Sequence, residues 1–366
     1  MEAFNIVHSI SELDNENWET HSKDNKFLST SFLHYFEQLD NTELLPFYIS
    51  NKEMIIYGHL ITIKGRKVAN YWSNSNGFSL KKNLLKTINF KFFCFGNTHL
   101  SNVSSCSANS TMNFDIIQPL FEQIKKDFKV NFFLLPDHFY QKINTKHIKS
   151  SKITPLTIDP DMVLEISSNW RSFNDYQLAV QSKYKKRIRK VFKKSALLTI
   201  ERFSKEQLKK QLPNMKALYE NVYKKSSFSG PKFDINIYKQ FLGNDHFPFF
   251  VHGFFHEKEL IGFSSDFLVD NVLHSYFIGL DYTFNQQFDL YNRILYFTIE
   301  LAIKLKVNKI KFGRTAAEFK STIGAVPTNS KSGVYIESRF LNWIFRPMIK
   351  RIEPKQWIQR NPFKTA

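Results

Sequence analysis

The sequence predicts an α/β protein of two tandem layered domains, each a mixed sheet flanked by helices, and three observations predict it. The chain has 366 residues, and at about 150 residues per domain two domains are the default. Strand-like and helix-like runs alternate through both halves, which is the pattern of a layered α/β domain. Two hairpins correspond across the halves: PFYISNKEMIIYGHLITI at 46–63 and PFFVHGFFHEKELIGFSSDF at 248–267 both open on Pro-Phe, turn on a charged segment and return through a strand containing Gly. One unit made twice gives such a correspondence. The division it suggests is 1–160, 161–340 and a basic amphipathic C-terminal tail at 341–366.

The elements follow from periodicity. In 27–39, Phe32, Tyr35, Phe36 and Leu39 share a helical face, with Ser31 as N-cap. Residues 47–50 and 54–63 read as a hairpin, 90–97 as a strand entering a Ser/Asn-rich loop, 115–126 as a helix and 131–135 as a strand stopped by Pro136. In the second half 208–223 is helical by pattern, 249–256 and 260–269 are strands around the charged turn 257–259, and 272–278 is a further strand. From 289 to 306, Leu290, Ile294, Phe297, Leu301 and Leu305 form one apolar stripe and Leu295, Ile299 and Ile303 a second, so this helix is buried on most sides. Asp289 is placed as its N-cap, and Lys304 and Lys306 lie where cations suit a helix end. Residues 308–312 then alternate as a short strand that Gly313 breaks.

Charge narrows the partners. Lys and Arg number 51 against 33 Asp and Glu, a net +18, which draws an anionic partner: nucleic acid, a phosphorylated co-substrate, an acidic carrier protein or a membrane surface. A general bias towards Lys, Asn, Ile, Phe and Tyr would raise the charge without any partner. Only Cys94 and Cys106 are present, too few for a disulfide scaffold and wrongly spaced for a CxxC metal or redox motif, so a reducing compartment is expected. The start shows no signal-peptide pattern and no run of about 18 apolar residues occurs, so the expected location is cytoplasmic, with contact to the inner face of the membrane left open. No nucleophile elbow, HExxH or P-loop is present, which removes the hydrolase, metalloenzyme and kinase readings and leaves no metal expected.

Chemistry concentrates in GRTAAEFKSTIG at 313–324, a charged loop at a strand end. Arg314 and Lys320 suit a carboxylate or phosphate on a substrate. Ser321 beside them, with Tyr291 and Asn292 at the start of the preceding helix, completes the expected substrate-binding set. Glu318 has two readings: Thr315 to Glu318 has capping-box spacing, and the same carboxylate suits proton transfer. On the strand at 272–278, His274 and Tyr276 share a face and could act as base and acid, or simply line a half-buried layer edge. Between the halves, KYKKRIRKVFKK at 183–194 holds eight basic residues in twelve and no acid. Tyr184, Ile188 and Val191 form its packing stripe, and Lys183, Arg187 and Arg189 are its expected anion contacts.

Three stretches, PDMVLEISSNWRSFNDYQLAVQSKYKKRIRK (160–190), FIGLDYTFNQQFDLYNRILYFTIELAI (277–303) and FGRTAAEFKSTIGA (312–325), with a weaker echo in CFGNTHLSN (94–102), resemble the GNAT-fold acyltransferases. The resemblance is to the Fem-type double-GNAT proteins and a bacterial group of N-acyltransferases tied to peptidoglycan biosynthesis. It implies two tandem GNAT-like domains and transfer of an acyl or aminoacyl group to an amine, in cell-envelope or lipid metabolism. The implied co-substrate is an acyl-CoA or acyl-carrier-protein thioester, or the aminoacyl-tRNA of Fem-type enzymes, and the implied acceptor is a small molecule or lipid. The Gly-rich pyrophosphate loop of ordinary GNAT enzymes is replaced here by YTFNQQFD, and Asp289 would repel an anion at that helix start. A non-catalytic double-GNAT module binding membrane or nucleic acid is the contrasting reading. In it the tail, through Trp343, Phe345 and Trp357, lies on an anionic bilayer.

Overall fold

The computed structural model describes residues 4–39, 43–66, 87, 89–101, 103–108, 112–144, 152–225, 231–244, 247–328, 330–352 and 356–364. Asn102, at the end of CFGNTHLSN, and 353–355 of the C-terminal tail lie outside them. The chain folds as two compact units, 1–158 with 330–354 and 159–329 with 355–366.

In the first unit the expected hairpin forms as Leu44–Ser50 and Met54–Lys64. It continues to Asn89–Cys94, Phe132–Leu135, Lys331–Ile336 and Ile153–Thr157, with Asn5–Val7 on the other edge and Cys106–Ala108 also pairing with Met54–Lys64. Neighbours run antiparallel except Asn89–Cys94 and Phe132–Leu135, which are parallel. A parallel pair needs a crossover, and Phe114–Phe128 lies between the two strands in the chain. Its Ile117, Leu120, Phe121 and Ile124 are buried at helical spacing, each contributing about 1.5 to 3 kcal/mol. They meet Phe47, Phe93, Phe95 and Phe133 in the core. Cys94 and Cys106 are buried and not joined in a disulfide. The helix expected at 27–39 is shorter: a 3-10 turn fills Lys26–Leu28 and the helix runs Thr30–Glu37 with Ser29, not Ser31, at its N-cap.

The second unit has the same strand order: Leu198–Arg202, Phe249–His256, Glu259–Val269, Val272–Ser275, Lys309–Lys311, Met162–Glu165 and Val326–Pro327. Again one pair is parallel, Val272–Ser275 with Lys309–Lys311, and the long helix Leu290–Lys304 falls between them in the chain. Ser182–Lys194 is the expected basic helix, with Ile188 and Val191 buried. The expected strand at 272–278 stops at Ser275. Its register against Glu259–Val269 then slips by one residue before Gly279–Leu280 pairs again.

One position distinguishes the two sheets. Beside the second member of the parallel pair, the second unit uses Met162–Glu165, which enters just before the rest of that unit, whereas the first uses Lys331–Ile336. The sequence-based division places 331–336 with the second domain. Val334 and Tyr335 are buried in the first sheet, opposite Leu134 and Phe133. The following helix, Arg339–Ile349, sets Phe345 edge-on against Phe90 and Phe132. Phe345 is thus a core residue and not part of a membrane-facing tail. Trp357 is likewise half-buried against the core of the second unit.

Candidate active site

In the second unit the ladder between the parallel strands ends at His274 and Lys311. Beyond it each strand bonds to its outer neighbour: the Tyr276 amide donates to Ser265, while Phe312 and Gly313 exchange bonds with Met162. Side chains alternate across a sheet. Leu273 packs with Leu295 and Ile299 of the long helix, so His274 and Tyr276 face the other way. Phe267, opposite His274, meets the Tyr276 ring at 5.1 Å, and Phe233 and Tyr238 close over it. Burial, with Lys311 and Lys309 beside it, draws His274 down to about 3. It is therefore neutral at physiological pH and a weak base. Burial pushes the Tyr276 phenol well above its ordinary value, with Tyr238 and Tyr219 adding to it.

The loop after Lys311 is held in unusual backbone. Gly313 and Gly324 have φ of 71° and 95°, and Thr315 and Ala316 have 67° and 49°. For glycine this is free, but a β-branched Thr there is strained. Lys320 braces the loop from beneath. Its ammonium donates to the carbonyls of Phe312 (2.8 Å), Gly313 (3.0 Å) and Arg314 (2.7 Å), which occupies all three of its donors. Burial lowers its pKa to about 7, against Asp161 and Asp159, which hold it up. Arg314 turns to Asp161, Nε to Oδ2 at 3.3 Å, with that carboxylate fully buried. Ser321 is also internal: its hydroxyl donates to the Glu318 carbonyl and accepts from the Arg360 amide.

Glu318 does not complete a capping box. Ala316 stands at the N-cap of Ala317–Ser321 with no side-chain cap bond, and the Glu318 carboxylate accepts from Arg360 Nη2 at 2.6 Å and Nε at 3.3 Å. Both side chains remain partly open, 44% and 38% exposed. The next residue, Phe319, is 50% exposed. Its ring meets Tyr291 edge-on at 5.9 Å and lies 5.9 Å from the Arg187 guanidinium.

Arg187 also donates to the Asn292 side chain at 3.3 Å, and Asn292 donates to Asp289 at 2.6 Å. Asp289 sits in left-handed backbone and makes no cap bond with the helix it precedes. Asn285 accepts from the Tyr291 amide instead. Of the three expected anion contacts, Lys183 and Arg189 are exposed and Arg187 is half-buried; Lys183 lies one turn from Arg187 on the same face, while Arg189, two residues on, points to nearly the opposite side.

The structure thus brings Arg187 and Tyr291 against Phe319, with Asn292 bonded to Arg187 and Glu318 paired with Arg360 beside it in the chain, and places His274 and Tyr276 on the other sheet face. Sequence reading missed Phe319, Asp161, Arg360 and Asp266. The last is fully buried on the face beneath the long helix, opposite Ser275 and beside Phe250. Burial raises it to about 7, with Ser275 pulling the other way. No local pattern announces any of the four, because each matters through a partner or an environment distant in the chain.

No family model and no curated protein sequence matches the chain. Solved structures do. FemX matches with a TM-score of 0.50 at 9% identity, over 93% of this chain and 100% of FemX. L-PGS from Bacillus licheniformis matches with a TM-score of 0.50 at 10% identity, over 93% of this chain and 97% of its own. At such identities the likeness is one of fold, and it runs through both units: the chain shares the fold of FemX and of L-PGS, in line with the fold the resemblance implied.

Proposed function

We propose that the second unit transfers an acyl or aminoacyl group from a thioester or ester donor to an amine acceptor, in cell-envelope or lipid metabolism. The observation that carries this reading is the contact of Arg187 and Tyr291 with the exposed Phe319 ring, with Asn292 bonded to Arg187 and Glu318 next to Phe319 in the chain, within a unit whose two parallel strands part. The guanidinium suits a donor phosphate and the phenyl ring the apolar part of the same molecule. A coenzyme A or carrier-protein phosphopantetheine, or the terminal nucleotides of a charged tRNA, meets that description.

In the reaction the amine nitrogen attacks the donor carbonyl carbon and forms a tetrahedral oxyanion. Its collapse breaks the carbon–sulfur or carbon–oxygen bond. The amine proton passes to a base and the leaving thiolate or alkoxide takes up a proton. Glu318, partly open to solvent, is assigned as the base, and Arg360 orients its carboxylate. Lys320 and Ser321 act by holding the loop, and Arg314 by its pairing with Asp161.

The test is turnover with acyl-CoA, acyl carrier protein and aminoacyl-tRNA donors against a panel of amines. With the productive donor, Arg187→Ala should raise KM at least tenfold, the loss of a charge-assisted contact of about 1.5 to 3 kcal/mol. Lys183→Ala and Arg189→Ala should change it less than twofold. Glu318→Gln should lower kcat at least a hundredfold. Absence of turnover with all three donor classes, or equal effects of the three cation variants, would defeat the assignment.

A further inference from the structure

The helix Arg339–Ile349 in the first unit has two unlike faces. Inward, Leu341, Ile344, Phe345, Met348 and Ile349 pack on Phe90, Phe132, Val334 and Ile336. Outward, Phe340 is 67% exposed and Trp343 76% exposed, with Arg339, Pro347, Lys350 and Arg351 exposed on the same side. Those positions, spaced three and four apart, form one stripe. Residues 339–351 contain four cations, Arg339, Arg346, Lys350 and Arg351, and no acid. The order along the stripe is a cation, an aromatic pair, proline and then two cations.

We infer that this stripe seats the first unit on the surface of an anionic lipid bilayer. Large aromatic rings left in water at a helix surface cost free energy that the headgroup boundary relieves, and cations at both ends meet anionic headgroups. The order of residues favours a bilayer over a nucleic acid strand, whose backbone is tracked by cations interleaved with the stacking rings. No helix among the described residues is long and apolar enough to cross a membrane, so the contact is one of lying on the surface. It uses neither Arg187 nor the loop at 313–324, and stands apart from the transfer reaction.

Co-sedimentation of the full chain with vesicles tests it. The protein should pellet with phosphatidylcholine vesicles containing phosphatidylglycerol and remain in solution with phosphatidylcholine alone. The double variant Phe340→Ser, Trp343→Ser should bind at least tenfold more weakly, with an unchanged circular dichroism spectrum and melting curve, because neither ring supports the core. Lys350→Glu, Arg351→Glu should weaken binding and steepen no further with salt, whereas Lys183→Glu, Arg189→Glu in the other unit should leave most of it. Equal binding by wild type and the aromatic variant overturns the inference, as does loss of binding only in the Lys183→Glu, Arg189→Glu variant. Two other results also overturn it: the aromatic pair governing self-association without affecting vesicle binding, or governing retention of single-stranded RNA instead.

Discussion

Replacing Lys320 by Met should destabilise the second unit by about 3 to 5 kcal/mol, out of proportion to a single side chain of nearly equal length. Lys320 is 5% exposed, and its ammonium serves three backbone carbonyls. Removing it takes that donor from the Phe312 and Arg314 carbonyls, at about 1 to 3 kcal/mol each where water cannot reach, while the Gly313 carbonyl keeps its bond from the Met162 amide. It also releases the strained backbone at Thr315 and Ala316, which persists only while its surroundings hold it. The buried carboxylate of Asp161 loses a neighbouring cation as well, though Arg314 and Lys311 stay near it. Urea unfolding followed by circular dichroism should show the lowered midpoint. Lys320→Gln, which keeps two donors on a shorter arm, should recover part of the loss. A Met variant within about 0.5 kcal/mol of wild type would show that the three carbonyls do not depend on the ammonium, since ordinary surface changes stay in that range.

Asp266→Asn should do the opposite, and increasingly so as pH rises from about 4 to about 7. The Asp266 carboxyl rises from 3.8 to about 7 on folding, so between those values the folded chain holds a proton that the unfolded chain has lost. A state that binds more protons is favoured by acid. The contribution of Asp266 therefore falls as pH rises from about 4 to about 7 and is level beyond. Three pKa units correspond to about 4 kcal/mol. The Asn variant carries no such penalty, so it should exceed wild type by only about 1 kcal/mol at pH 4.5 and by about 3 to 5 kcal/mol at pH 8. Four histidines work with the contrary sign: His59, His99 and His274 are drawn to about 3 and His252 to about 4, chiefly by burial. They are neutral when folded, so their contribution is lost as pH falls below about 6.5. Present in both proteins, they cancel when the variant is compared with wild type at each pH. A difference that does not change between pH 4.5 and 8 would mean that Asp266 titrates as an ordinary carboxyl.

The amino-acid order alone determined the elements whose information is local. The long helix at 290–304 was legible because two apolar stripes recur at helical spacing, and the hairpin of Phe249–His256 and Glu259–Val269 because a charged turn separates two apolar runs. The basic helix at 182–194 was legible with its buried Ile188 and Val191, and the repeated strand order shows in the paired hairpins. Only the tertiary structure decided which strand fills the place beside Phe132–Leu135. That choice joins residues nearly two hundred positions apart, and an apolar run such as 331–336 fits either sheet by pattern. It also decided what the charged residues do. Arg314, Glu318 and Lys320 look alike in sequence as an exposed functional cluster. Lys320 is buried under the loop it supports, Arg314 turns to a buried aspartate, and Glu318 stays at the surface beside Arg360. A charge announces its chemistry in the sequence, but its burial and its partner arise only when distant segments meet, and these set whether it holds the loop or faces a substrate.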